Sequence, residues 1–146
     1  MRLLVQRVKR ASISVDNKLV SEIGTGLLIF IGIGHKDTKE QVEYLAKKAI
    51  NLRIFEDDEG KMNLSVKDIT GEILLISQFT LYADMNKGNR PSFSDPASPD
   101  KAEALYEYFG KCLNELGVPT KLGKFGALMQ IELLNFGPAT FWLERE

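Results

Sequence analysis

Leu27-Leu28-Ile29-Phe30-Ile31-Gly32-Ile33 is an unbroken apolar run set between Gly26 and Gly34. Both alternating sets of side chains are apolar, so the run reads as a strand buried on both faces. It falls far short of the roughly 20 residues that a membrane helix needs. A strand with two dry faces belongs in the middle of a sheet, with other elements packed over it.

Upstream, residues 2–8 and 11–15 read as two strands. In the second, Ala11, Ile13 and Val15 alternate with Ser12 and Ser14, the pattern of a half-buried strand. Asp16-Asn17-Lys18 is a turn signal, and Leu19 to Ile23 returns as a hairpin partner. Downstream, Thr38 and Gln41 form a capping box, after which Val42, Leu45, Ala46, Ala49 and Ile50 recur at helical spacing. A short strand over 52–55 leads into a polar stretch over 56–71, and residues 72–78 form another buried strand. The segment 82–99 is rich in Asn, Gly, Ser and Pro and is long for a plain loop, a property often tied to function.

Ser98-Pro99 starts a second helix, with Ser98 as N-cap. Ala102, Leu105, Phe109, Cys112, Leu113 and Leu116 share its inner face, and Gly117 ends it. Residues 127–134 and 139–143 read as strands separated by Asn135-Phe136-Gly137-Pro138. Two helices and about seven strands give an α/β fold: a curved, mostly antiparallel sheet or partial barrel covered by two helices.

The length of 146 residues points to one domain spanning 1–146. A net charge of −1 supplies no strong basic field, so a general nucleic-acid-binding role is disfavoured and no DNA partner is expected. The early charges after Met1 do not suit a signal peptide, and the expectation is a cytoplasmic protein with no membrane contact. One Cys and one His cannot build a structural zinc site, so neither metal nor cofactor is expected.

A self-sufficient hydrolytic triad is hard to find. His35 reads as an exposed loop residue, Cys112 as a buried inert thiol, and the acidic run 56–59 as a solvated turn rather than a calcium loop. Two segments are unusual. In Ser77-Gln78-Phe79-Thr80-Leu81 a buried strand abruptly becomes polar, which suits either a pocket or a strand end whose hydroxyls satisfy backbone groups. Asn135 to Thr140 is either a plain hairpin turn or something more specific. From the residues alone, the reading stops at a globular α/β domain with a pocket near 77–81.

Taken in order and spacing, Ser77-Gln-Phe-Thr-Leu81, Gly123-Lys-Phe-Gly-Ala127 with Met129, and Asn135-Phe-Gly-Pro-Ala-Thr140 resemble the D-aminoacyl-tRNA deacylase family. The opening residues 1–8 and the segment 88–93 are similar to it as well. The family usually has a polar or acidic residue where Phe136 stands, and more often valine at Ala139.

The resemblance implies an editing hydrolase that frees tRNA from D-amino acids, acting on the acceptor end of aminoacyl-tRNA as a homodimer. It assigns catalysis to Ser77, Gln78, Phe79 and Thr80, whose backbone N–H groups would stabilise the oxyanion. Gly137 and Pro138, joined by a cis bond, would reach into the partner's site and exclude an L side chain. Phe125 and Met129 would wall the adenosine. With the tRNA 2′-hydroxyl helping to activate water, no side-chain base is required, and glycine would pass the same filter. Arg7, Lys9, Arg10, Lys87, Arg90, Lys121 and Lys124 read either as phosphate contacts or as solvated surface charges, the latter being the safer assumption for most of them. Two rival readings stand beside this one: a non-catalytic module for a nucleotide or RNA end, and a general small-ester hydrolase.

Overall fold

In the computed structural model, which describes residues 1–146, the first strand β1 (Arg2–Val15) runs without a break where the sequence reads as two. Its two halves serve different neighbours. The first half pairs antiparallel with β3 (Gly26–Gly32), and the second pairs antiparallel with β2 (Lys18–Ile23). The turn between β1 and β2 places Asp16 and Asn17 at φ of 50° and 61°, a left-handed pair that Asn and Asp tolerate.

β3 is the central strand the sequence indicates. Leu27, Ile29 and Ile31 enter the larger core, while Leu28 joins Val8, Ala11, Ile13, Ile23, Leu74 and Ile76 in a smaller one on the other face. Helix α1 (Lys39–Ile50) follows, with the expected capping box: Thr38 N–H donates to Gln41 Oε1 over 2.9 Å and Glu40 N–H to Thr38 Oγ1 over 3.3 Å. All five of its predicted apolar positions are buried.

The expected strand at 52–55 is displaced. Only Phe55 belongs to β4 (Phe55–Glu56), which pairs with β5 (Met62–Leu64) in a small separate hairpin. Its turn is held by Asp57, whose Oδ1 accepts from the N–H groups of Glu59 and Lys61 at 2.9 and 3.0 Å. These donors hold the Asp57 carboxyl below the usual range, and they account for the acidic run as a turn.

β6 (Glu72–Ser77) lies parallel to β3, and the two backbones meet closely at Gly26. A Cβ there would stand 1.8 Å from the carbonyl oxygen of Glu72, so no other residue fits. After β6, Phe79–Tyr82 form a single 3-10 turn. Helix α2 (Pro99–Glu115) packs beside α1 over the larger core and ends at Gly117, whose φ is +96°. Ser98 caps it differently from expectation, since its side chain makes no capping hydrogen bond; only its carbonyl accepts from Ala102 N–H.

β7 (Thr120–Leu122), missed in the sequence, pairs parallel with β6. The sheet then nearly closes. Ser21 Oγ of β2 donates to Leu122 O at 2.6 Å, and Lys121 Nζ donates to Glu22 O at 2.7 Å.

The last strand, β8 (Gln130–Glu144), corrects the hairpin reading of 135–138. Residues 130–135 and 140–144 both pair antiparallel with β1, so the chain does not reverse there. Val8 pairs with Asn135 and Gln6 with Thr140, which leaves residues 136–139 opposite Arg7 alone. They form a wide bulge. Pro138 has no N–H to give to a ladder, which suits it to such an interruption. No helix is long and apolar enough to cross a membrane.

Candidate active site

The 3-10 turn is seated on the end of β3 because Gly32, its last residue, and Gly34 just beyond it carry no side chains. A Cβ on Gly32 would lie 2.9 Å from Leu81 Cβ and 3.1 Å from Gln78 O, and one on Gly34 would meet the Tyr82 ring at 2.9 Å. Gln78 N–H donates to Ile31 O at 2.8 Å, the last bond of the parallel ladder. The first helical bond is Leu81 N–H to Gln78 O, at 3.3 Å. The N–H groups of Phe79 and Thr80 therefore precede it and have no partner within the turn. No side chain caps them.

Ser77, Gln78, Phe79, Phe125 and Met129 line one largely apolar cavity of about 540 Å³. Five predicted site residues, from two distant segments, thus come together. Gly123 makes room for Met129, since a Cβ there would be 2.9 Å from the Met129 sulfur. Phe125 leans on Tyr106, with ring centroids 5.9 Å apart. The Tyr106 hydroxyl donates to Leu75 O at 2.9 Å, and burial pushes its pKa up to about 12. Ile31, Ile33, Pro96, Ala97, Pro99 and Ala102 also line the cavity, a role the sequence does not assign to them.

Thr80 stands beside the cavity, its hydroxyl bonded to the Gln78 amide. No titratable side chain is hydrogen-bonded to it. The one imidazole, His35, is exposed, with Nδ1 3.1 Å from Asp95 O. Cys112 is buried against the core, which pushes its thiol up. Phe79 is exposed and packs against Phe93 at a centroid distance of 5.1 Å.

Gly137 and Pro138 do not line this cavity; they lie in the bulge of β8, exposed and joined by a cis bond. Their anchor is Arg7, and here one candidate phosphate contact is corrected. Arg7 is 1% exposed, and its guanidinium donates to Ile54 O (2.8 Å), Phe136 O (3.0 Å) and Gly137 O (3.3 Å). It also lies 4.2 Å from the centroid of the Phe136 ring. A cation so enclosed cannot reach a phosphate. Lys121 is already engaged by Glu22 O. Lys9, Arg10, Lys87, Arg90 and Lys124 are exposed and form no ion pair.

An α/β fold with a nearly closed sheet, an apolar cavity and unpartnered backbone donors beside it defines the class, an enzyme-like pocket with no nucleophile–base pair. Comparison with known proteins is specific. The family described as D-Tyr-tRNA(Tyr) deacylase matches residues 4–144. The D-aminoacyl-tRNA deacylase of Thermotoga petrophila is 54% identical over 144 residues, covering 99% of this chain and 97% of its own. A solved structure named "c-Myc DNA Unwinding Element Binding Protein" superposes with a TM-score of 0.95 at 42% identity, over 100% of this chain and 99% of that one. Another, of "a probable eukaryotic D-amino acid tRNA deacylase", shares the fold at a TM-score of 0.79 and 19% identity, over 97% of this chain and 98% of that one. The chain belongs to the D-Tyr-tRNA(Tyr) deacylase family, whose members are hydrolases of the aminoacyl-tRNA ester.

Proposed function

We propose that this chain hydrolyses D-aminoacyl-tRNA to free D-amino acid and tRNA, and that it does so as a homodimer whose sites are completed across the subunit interface. The observation that carries the reading is the pair of leading N–H groups at Phe79 and Thr80, beside an apolar cavity and without a side-chain base. An aminoacyl ester is already activated. Two fixed donors aimed at the developing oxyanion stabilise the transition state more than the ground state, and in many enzymes this accounts for most of the rate enhancement. The terminal adenosine is received between Phe125 and Met129, and its 2′-hydroxyl assists the attacking water, which takes the place of the missing base.

Handedness is set by exclusion. The carbonyls of Gly137 and Pro138 enter the neighbouring subunit's cavity and leave no room for an L side chain, whereas a D side chain points away. Glycine has nothing to exclude and passes. Arg7 supports this role, because two of its hydrogen bonds, to Phe136 O and Gly137 O, tie the bulge to β1, and a third, to Ile54 O, holds the guanidinium itself.

The shared site is tested by complementation. A chain disabled at residues 77–80 is inactive alone, and a chain disabled at Gly137–Pro138 hydrolyses esters of both hands alone. Unfolded and refolded together with the first chain in excess, the second keeps its activity on the D ester and loses its activity on the L ester, because its sites then receive an intact Gly137–Pro138 from the partner. Unchanged hydrolysis of the L ester on mixing, or a fully active and selective monomer in sedimentation, contradicts the shared site.

A further inference from the structure

The 3-10 turn that carries Phe79 and Thr80 is weakly held by its own contacts. It is one turn long, contains no buried residue, and has the poorer hydrogen-bond geometry of its kind. Yet oxyanion donors must keep their place to within a fraction of an ångström. A further hold on the turn acts at its trailing end, where Tyr82 and Arg2 line a second, polar cavity of about 270 Å³. Arg2 sits there, at the beginning of β1 and paired across the ladder with Glu144 of β8.

The Arg2 side chain makes three close contacts, with the Trp142 ring a more distant fourth at 6.0 Å. Its Nη1 donates to Leu81 O at 2.9 Å, its Nε donates to Glu144 Oε1 at 2.8 Å, and its guanidinium carbon lies 4.3 Å from the centre of the Tyr82 ring. Leu81 and Tyr82 are the last two residues of the turn. The Tyr82 hydroxyl donates in addition to Asp37 Oδ2, at a long 3.4 Å, and that same oxygen accepts Gly34 N–H at 2.7 Å. One planar fork therefore ties the trailing end of the turn to the edge where β1 and β8 meet. The hydrogen bond between Arg2 and Glu144 holds the Glu144 carboxyl below its usual range and raises Arg2, as expected of a made pair.

We propose that Arg2 is a positioning residue for ester cleavage: by gripping Leu81 O and the Tyr82 ring it fixes the turn whose leading N–H groups receive the oxyanion. The proposal rests on the reading of Phe79 and Thr80 as oxyanion donors. A partly exposed Arg–carboxylate pair by itself contributes little to stability, so a purely structural role predicts little. A lysine cannot serve equally, because a single ammonium cannot span both acceptors in the fixed geometry of a fork.

The test uses the full chain and its Arg2→Gln, Arg2→Lys and Glu144→Gln variants, with two independent readouts. Hydrogen exchange followed by mass spectrometry reports the turn without any reference to activity. Exchange over residues 78–83 is expected to accelerate in Arg2→Gln while the core strands β3 and β6 keep their protection. In steady-state hydrolysis of D-tyrosyl-tRNA, kcat is expected to fall about 10- to 100-fold with KM within about twofold, and Arg2→Lys to recover part of the loss. Glu144→Gln, which removes one anchor of Arg2, is expected to lower kcat less, and the double variant to be no worse than Arg2→Gln alone. Should Arg2→Gln fail to fold, Glu144→Gln carries the same two readouts. Unchanged exchange over 78–83, an unchanged kcat, a change confined to KM, or additive effects in the double variant would overturn the proposal. Accelerated exchange with no hydrolysis by the unaltered chain would overturn the reading of Phe79 and Thr80 as oxyanion donors and leave the Arg2 clamp standing as structure.

Discussion

Arg7 Nη2 donates a hydrogen bond to the carbonyl oxygen of Gly137 across 3.3 Å, joining the middle of β1 to the one stretch of β8 that leaves the ladder. No carboxylate neutralises this buried cation. Its compensation comes from three carbonyl oxygens and the face of the Phe136 ring. Arg7→Lys is expected to destabilise the fold by about 2–3 kcal/mol, since an ammonium leaves buried acceptors unpaired. Urea denaturation measures it; a loss below about 0.5 kcal/mol, the range of ordinary surface changes, contradicts the assignment.

A second prediction concerns Gly32. An added Cβ would press on Leu81 Cβ at 2.9 Å and Gln78 O at 3.1 Å, and the turn has to move. Gly32→Ala is expected to lower kcat by about tenfold or more, because the donors at Phe79 and Thr80 move with the turn. Gly60→Ala is the contrast. Gly60 has φ of +78° but open space around it, so that variant costs stability of about 1 kcal/mol and leaves kcat alone. Equal kcat values for the two variants would refute the link between β3 and the turn.

On the proposed mechanism Thr80 supplies its backbone N–H, not its hydroxyl. Thr80→Ala is expected to retain most activity, while a substrate ending in 2′-deoxyadenosine loses it. A trapped acyl ester on Thr80, found by mass spectrometry of the quenched enzyme, contradicts this.

Tyr106 makes stability depend on alkaline pH. Burial raises its pKa from 10 to about 12, so the folded state holds the proton more tightly than the unfolded chain. That contribution is fully present below pH 10 and is lost as the pH rises from there through about 12. Tyr106→Phe removes the bond to Leu75 O and should cost about 1 kcal/mol at neutral pH. It also removes the alkaline loss, so the difference between the two proteins shrinks above pH 10. A constant difference from pH 8 to pH 12, measured by urea denaturation, would contradict the assignment.

Sequence reading succeeds where one physical rule acts alone. Leu27 to Ile33 has no competing interpretation, and the Thr38–Gln41 capping box is a local device that needs no tertiary context. It fails where the partner strand decides. Lys121 in β7 alternates too briefly to show a period, and β7 exists because β6 offers an edge. Asn135 to Pro138 carries every residue type of a turn, yet β1 continues straight past it and makes it a bulge. Ser77 to Thr80 is visible as polarity at a strand end. The apolar wall from Pro96 to Ala102 is not, since small residues and prolines there look like an ordinary helix start. Arg7 misleads for a similar reason: a charge in an alternating strand looks like a surface charge until the carbonyls that enclose it are seen.

The central claim is that the site accepts an ester of one hand and excludes the other. The most direct measurement is the initial rate of hydrolysis of D-tyrosyl-tRNA and of L-tyrosyl-tRNA by the purified protein, at the same enzyme concentration. The account predicts rapid release of D-tyrosine and near-inertness toward the L form; equal rates on the two would contradict it.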